Sequence, residues 1–355
     1  MKRMLCLMMT LAVLLSAPPA ALADTAPRDI RLLTDAEIRQ TPKGMHHYML
    51  ICVDSWATDL NDLGFTDGLV LVTVDEVARR VMLTSFIRDM LISRPHVPDD
   101  AGQHAADYTP GQISDTYTFG RINYIAQKIG NARKNGEKLY TVGQAFDTLI
   151  DTINRHFDLR IEDYIVVDFR QVQNIVDALG GVDVELTAHE ASYLANKNAI
   201  SRDATTPALA GAGVYHLPGY VAVIYMRCRG VINIEGESQD LGRTRRARIV
   251  LTAIADSLKN ATYEEAQRLL NVVTENTLYT NMTASDLLEA MNLALELKGT
   301  PVEGIRMPVS NRELPGSFEG RPYAGMATQQ LDFEKNREAL WSFLLNSFIV
   351  ADDEE

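Results

Sequence analysis

The stretch DYIVVDFRQVQNIVDALGGVDVEL, residues 163–186, holds two hydrophobic patterns in succession. Asp163–Phe169 is a short run rich in β-branched side chains, the composition of a buried strand. From Arg170 the spacing predicts a helix, which Gly180-Gly181 stop before a further strand begins. Strand, helix and strand within one short segment point to an α/β layered fold, with helices covering a sheet.

The segments on either side fit that reading. Tyr48–Val53 is an apolar run ending at Asp54, Gly68–Val74 is one ending at Asp75, and Val81–Phe86 is a third after the turn-like DEVARR. All three are predicted as strands. Residues 141–157, TVGQAFDTLIDTINRHF, offer a Thr cap and then Val142, Ala145, Phe146, Leu149, Ile150 and Ile153 at helical spacing, so an amphipathic helix is expected. Residues 187–216 read as an irregular loop or lid. The β-branched content of VAVIYMRCR predicts a strand with Arg227 and Arg229 on one face at period two. After it come a long helix to about Lys259, helices near 262–272 and 283–298, a Gly/Pro-rich passage from Gly299 to Gly325, and a last amphipathic helix over Phe333–Phe348.

The chain has 355 residues, 46% of them hydrophobic, enough to bury a sizeable core. Its formal net charge is −13. That balance argues against nucleic acid as a partner, because nucleic-acid binding needs a broad positive footprint, and leaves room for one focused anion site. At the N-terminus, Lys2 and Arg3 precede an apolar run from Met4 to Leu15, then Pro18-Pro19 and the small-residue site Ala21-Leu22-Ala23. This reads as a secretory signal peptide, which makes the protein extracytoplasmic, in the cell envelope or secreted. An uncleaved membrane anchor is the alternative, although the run falls short of the roughly 20 apolar residues that span a bilayer. Cleavage would leave Cys52 and Cys228 as the only cysteines, so no disulfide framework is expected, and a single bridge between them stays open.

The sequence contains no G-x-S-x-G, G-x-x-x-x-G-K-[ST] or C-x-x-C, and HEASY at His189 lacks the final His of H-E-x-x-H. The pair His46-His47 reads as a solvated loop end. What remains is polar chemistry at strand ends: Asp54, Asp67, and Arg88-Asp89 in SFIRD. Ligands of open α/β sheets gather at such ends. Carboxylates suit a hard divalent cation, and arginines suit phosphate. The run QDLGRTRRARIVLTAI from Gln239 adds Arg243, Arg245, Arg246 and Arg248. On a helix Arg243 and Arg246 share a face and can point together into a site, while Arg245 and Arg248 face elsewhere and read as solvated.

In this order the pieces resemble the LytR-CpsA-Psr family of exported cell-wall proteins, from about Tyr48 to Ile254. The matching segments are the strand ending in Asp54, TDGLVLVTVD, LTSFIRDM, GRINYIAQKIG, the 163–186 stretch, LPGYVAVIYMRCR and DLGRTRRA. The resemblance implies an α/β/α layered fold with a central mixed sheet, an apolar lipid tunnel and a C-terminal helical extension. In place of a strand it suggests a short helix ending near Arg227 and Arg229. It further implies a Mg²⁺-dependent phosphotransferase that moves a glycopolymer from a polyprenyl-pyrophosphate carrier to peptidoglycan, meeting the membrane surface through its lipid substrate.

By that resemblance Asp54 and Asp67 are metal ligands, and Arg88, Arg227, Arg229, Arg243 and Arg246 are pyrophosphate ligands. Asp89 and Asp240 match supporting positions, with Asp54 or Asp89 available as catalytic base. Two positions depart from the family pattern: Phe65 stands where an Arg is frequent, and Ala247 where a Gln is. A non-catalytic polyprenyl-phosphate or envelope-glycan binding protein and a lipid pyrophosphatase are the alternatives. The implied organisation is a signal peptide over 1–23, a linker over 24–44, the catalytic domain over 45–260 and the helical extension over 261–355, packed on the same domain.

Overall fold

The computed structural model describes residues 30–345 apart from 55–59, 61, 97–113, 197–208, 210, 233–238, 258–261 and 324. The expected signal peptide lies outside the described residues. The predicted strand, helix and strand are present as Asp163–Asp168, Phe169–Ala178 and Val182–Leu186. Asp168 and Gln171 start the helix with a capping box, and Gly180 and Gly181 end it at φ of 83° and 113°. At Gly181 a Cβ would also lie 2.4 Å from His216 Nε2, so a larger residue would have to displace that ring.

In chain order the strands are β1 (Met45–Val53), β2 (Thr66–Asp75), β3 (Arg80–Phe86), β4 (Met90–His96), β5 (Ser114–Arg121), the short β6 (Arg133–Lys134) and β7 (Glu137–Lys138), β8 (Asp163–Asp168), β9 (Val182–Leu186), β10 (Gly213–Leu217), β11 (Tyr279–Thr280), β12 (Val302–Met307), β13 (Phe318–Tyr323) and β14 (Met326–Leu331). The helices are α1 (Ile125–Asn131), α2 (Val142–Phe157), α3 (Phe169–Ala178), α4 (Ala188–Asn196), α5 (Gly219–Met226), α6 (Gln239–Ser257), α7 (Tyr263–Glu275), α8 (Ala284–Glu296) and α9 (Phe333–Leu344). A mixed sheet has the order β11-β8-β1-β2-β3-β12, with β8 parallel to β1 and β12 parallel to β3. A second sheet, β13-β14-β4-β5, begins where the chain turns from β3 into β4 through Ile87–Asp89.

The two faces of the mixed sheet are packed differently. On one, Met49, Ile51, Leu71 and Met82 have no exposure and join Phe146 and Leu149 of α2 and Leu340 of α9 in the main core. Each such side chain contributes about 1.5–3 kcal/mol relative to exposure. The other face presents Tyr48, Leu50, Cys52, Val72, Ile165 and Val167, all half-buried. There α6 crosses β2, β3 and β12, while Leu293 of α8 packs near Val74, and Phe169 of α3 near Cys52 and Val167. The fold is α/β/α, with one tight interface and one loose one.

Several sequence expectations are corrected by tertiary contacts. Residues 30–44 are no free linker: the Leu33 amide donates to the Arg155 carbonyl, and Arg39 pairs with Asp158 at 3.0 Å and stacks over Trp341. Residues 187–216 include α4 and part of β10. VAVIYMRCR is helical through Met226, because Pro218 initiates α5, and Gly219 lets it approach α3 so closely that a Cβ would meet the Gln173 carbonyl at 2.2 Å. The C-terminal part carries its helices and also β12, which enters the mixed sheet beside β3, and β14, which pairs with β4. Its Gly/Pro-rich passage therefore holds two strands, β12 and β13, and β14 follows it directly.

His46 and His47 lie within β1. His47 is buried with Nδ1 2.9 Å from Thr73 Oγ1, and His156 of α2 is buried with Nε2 accepting the Ser93 amide. Burial pushes both imidazoles down to about 4. Both are therefore neutral in the folded protein, and stability present above the ordinary histidine value is lost as pH falls towards 4. Urea unfolding at about pH 5 rather than about pH 7 is expected to show a loss of roughly 2 kcal/mol per histidine, and His47→Gln should flatten that dependence.

Candidate functional site

Strand direction brings the polar residues to one edge of the mixed sheet. Asp54 follows the last residue of β1, Asp67 lies at the start of antiparallel β2, and Arg88 follows β3. The C-terminus of α5, with Arg227 as its cap, and the first turn of α6, with Asp240 and Arg243, complete the edge.

Four of these side chains close a ring. Asp67 Oδ1 accepts from Arg88 Nη1 at 2.8 Å, and Asp67 Oδ2 accepts from Arg243 Nη2 at 2.9 Å. Across the ring, Asp240 Oδ1 is 2.9 Å from Arg88 Nε and 3.1 Å from Arg243 Nη1. The Asp67 and Arg243 side chains are almost fully enclosed. Burial pushes the Asp67 carboxyl up, but the Arg88 hydrogen bond and the Arg243 charge outweigh it and hold it below the ordinary carboxylate range. Two guanidinia are thus held in fixed orientation at the sheet edge.

Asp54 is tied down from the other side. Its Oδ1 accepts the Phe65 amide at 2.8 Å, and its own amide donates to the Phe65 carbonyl. Burial raises its carboxyl, the Phe65 amide opposes this, and the nearby Asp67 charge adds to it. The Phe65 ring packs against Tyr124, centroids 4.7 Å apart, so it buttresses the loop and offers no phosphate contact. Asp89 is buried and its carboxyl is raised, first by burial and then by Asp240. Its Oδ2 takes a long contact, 3.4 Å, from Gln329 Nε2, and its Oδ1 is buried with no hydrogen-bond partner among the described residues. Gln329 reaches Asp89 only because β14 pairs with β4, a link that no local pattern announces.

Arg227 is exposed and lies over the Phe169 ring at 4.6 Å. Arg229 is exposed as well, and partial burial with the charges of Arg243 and Arg88 pushes its guanidinium down. Arg246 does not join Arg243. It is fully buried, with Nε 2.7 Å from Glu190 Oε1 and its other nitrogens on the Cys228 and Val231 carbonyls. Helical phase put the two arginines on one side of α6, but α4 lies beneath the second and supplies the carboxylate that captures it. Arg245 and Arg248 are half-buried rather than solvated, and Arg248 lies against Gly304 of β12. Glu190 was missed from sequence, although Thr187-x-x-Glu190 is a capping-box pattern.

Among the described residues, no three His, Cys, Asp or Glu side chains stand close enough to hold a metal by themselves. Asp54 and Asp67 nevertheless fit a hard cation that takes one or two carboxylates and draws its other ligands from phosphate and water. Asp54 Oδ2 carries no hydrogen bond among the described residues. Beside the ring, Cys52, Leu69, Val70, Phe86, Phe169, Met226 and Ala247 line a narrow, largely apolar cavity of about 30 Å³ that opens on Asp67 and Arg243. Ala247 leaves that wall apolar. Cys52 and Cys228 are both free thiols.

Paired arginines and aspartates at a sheet edge, next to an apolar cavity, have the chemistry to suit an anion with an apolar tail. The LytR_cpsA_psr family model matches residues 34–339, and the chain belongs to that family. Biofilm regulatory protein A of Streptococcus mutans is 22% identical over 231 residues, covering 62% of this chain and 46% of that protein. The polyisoprenyl-teichoic acid–peptidoglycan teichoic acid transferase TagV of Bacillus subtilis is 23% identical over 225 residues, covering 63% and 46%. The chain thus spans about half the length of these relatives. The crystal structure of Bacillus subtilis TagV superposes with a TM-score of 0.54 at 19% identity, over 87% of this chain and 100% of that one. The family protein YwtF (TagT) with bound octaprenyl pyrophosphate lipid gives 0.53 at 18% identity, over 92% and 98%. No helix among the described residues is long and apolar enough to cross a membrane.

Proposed function

We propose that this protein is a Mg²⁺-dependent phosphotransferase of the cell envelope, moving a glycopolymer from a polyprenyl-pyrophosphate carrier onto a peptidoglycan hydroxyl. The observation that carries this reading is the Arg88–Asp67–Arg243–Asp240 ring, set at the mouth of the apolar cavity. An arginine pair suits a pyrophosphate, and the half-buried sheet face beyond it suits a prenyl chain. A cavity of about 30 Å³ holds a water-sized group, so a prenyl chain enters only if α6 and its neighbours move away from that face.

In the reaction the acceptor oxygen attacks the phosphorus nearer the sugar. The bond from that phosphorus to the bridging oxygen breaks, and polyprenyl phosphate leaves. Phosphoryl transfer leaves little covalent work to the protein, so orientation and charge neutralisation dominate. Arg88 and Arg243 neutralise the phosphates, Arg227 and Arg229 extend the positive edge, and Asp54 and Asp67 would hold a Mg²⁺, which would supply further charge neutralisation at the transferred group. The acceptor proton passes to a carboxylate, and burial makes Asp54 and Asp89 more basic than ordinary carboxylates.

The protein incubated with a lipid-pyrophosphate-linked sugar, Mg²⁺ and peptidoglycan fragments is expected to yield a sugar phosphate linked to the fragment. Free sugar phosphate in its place would mean a pyrophosphatase. Retained lipid without product would mean a binding protein.

A further inference from the structure

Arg246 has no exposure, and its guanidinium lies over the Tyr225 ring, 5.8 Å from the centroid. Its hydrogen bonds to described residues go to two places. Its Nε meets Glu190 Oε1, while Nη1 and Nη2 reach the carbonyls of Cys228 (3.1 Å) and Val231 (2.9 Å), which bracket Arg229 and the positive-φ Gly230. Glu190 is held in turn: its Oε2 accepts from the amide and hydroxyl of Thr187, both at 3.0 Å, in the capping box of α4. A single buried carboxylate therefore caps α4 and anchors the guanidinium that grips the 228–231 turn.

We propose that Glu190 and Arg246 form a strap that positions Arg227 and Arg229 against Arg243, with Arg246 touching no phosphate itself. Arg243 sits one turn earlier on α6, and α6 also supplies Asp240 to the ring. Strapping the turn to α6 through Arg246 thus fixes the spacing between the two sets of arginines. The Glu190 charge cancels that of Arg246, so the strap adds rigidity without adding to the field at the ring. Burying such a pair brings little stability over apolar residues of similar size, which is consistent with a role in geometry. The inference rests on the pyrophosphate reading for its functional consequence, and its structural half stands apart from that reading.

The test uses the full protein carrying Glu190→Gln with Arg246→Met, which leaves the α4 cap in place and no charge unpaired in the interior. Arg246→Lys alone, which keeps a charge beside Glu190 but loses the fork that reaches the two carbonyls, is the milder variant should the pair fail to fold. Two readouts are compared with the parent at matched thermal stability: trypsin cleavage of the Arg229–Gly230 bond, followed by mass spectrometry, and calorimetric affinity for a short-chain polyprenyl pyrophosphate. Cleavage about tenfold faster, with affinity down about tenfold and little left to lose on adding Arg229→Ala, is expected. Unchanged cleavage overturns the strap. Faster cleavage with parental affinity overturns its positioning role. A parent that binds no lipid pyrophosphate removes the functional reading instead, and the cleavage rates then decide the strap by themselves.

Discussion

Asp67→Asn is expected to lower Mg²⁺-dependent transfer by at least about a hundredfold while leaving affinity for a polyprenyl pyrophosphate, measured without divalent cation, undiminished or increased. The two effects separate because Asp67 has two roles in the structure. Its oxygens occupy Arg88 and Arg243 at 2.8 and 2.9 Å, as an anion would. With its charge removed those guanidinia are freed for phosphate, but the metal loses a carboxylate and the transferred group loses its neutralisation. Some stability is lost as well, since breaking a buried ion pair costs about 3–5 kcal/mol. The Arg88–Asp240 and Arg243–Asp240 contacts remain, so the edge should stay folded. Weaker cation-free binding by the variant would show that Asp67 helps to hold the pyrophosphate and does not merely occupy its site.

Arg243→Ala should act in the opposite sense, lowering pyrophosphate affinity by about tenfold or more with or without Mg²⁺. A charge-assisted hydrogen bond to an enclosed phosphate contributes about 1.5–3 kcal/mol, and Arg243 is nearly enclosed already. Its removal leaves Asp67 paired with Arg88, so the carboxylate is not stranded. Isothermal calorimetry at one fixed salt concentration measures the loss. An affinity equal to that of the parent would remove Arg243 from the pyrophosphate site and, with it, the functional meaning of the ring. A variant that binds weakly yet turns over normally at saturating lipid would show that Arg243 serves binding rather than the transition state.

Much of the architecture was determined by the sequence alone, because its signals are local. Alternation and β-branching place the strands ending at Asp54, Asp75, Phe86 and Asp168, and helical spacing with a Thr141 cap places α2. The polar residues at strand ends were legible for the same reason: a strand that stops at an aspartate or an Arg-Asp pair marks its own edge. Tertiary structure decided whatever depends on a partner distant in the chain. β12 lies in a Gly/Pro-rich passage whose pattern is weak and β14 directly after it, and they become strands because β3 and β4 offer open hydrogen-bonding edges. The β-branched run ahead of Arg227 becomes helix because close packing on α3 and the Pro218 start outweigh a small intrinsic preference. Helical phase could put Arg243 and Arg246 on one face, but it could not say what each would meet there. Asp67, 176 residues from Arg243, gives the first an enclosed ion pair at the sheet edge. Glu190, 56 residues from Arg246, draws the second into the interior, because a guanidinium buried away from water goes to the nearest carboxylate.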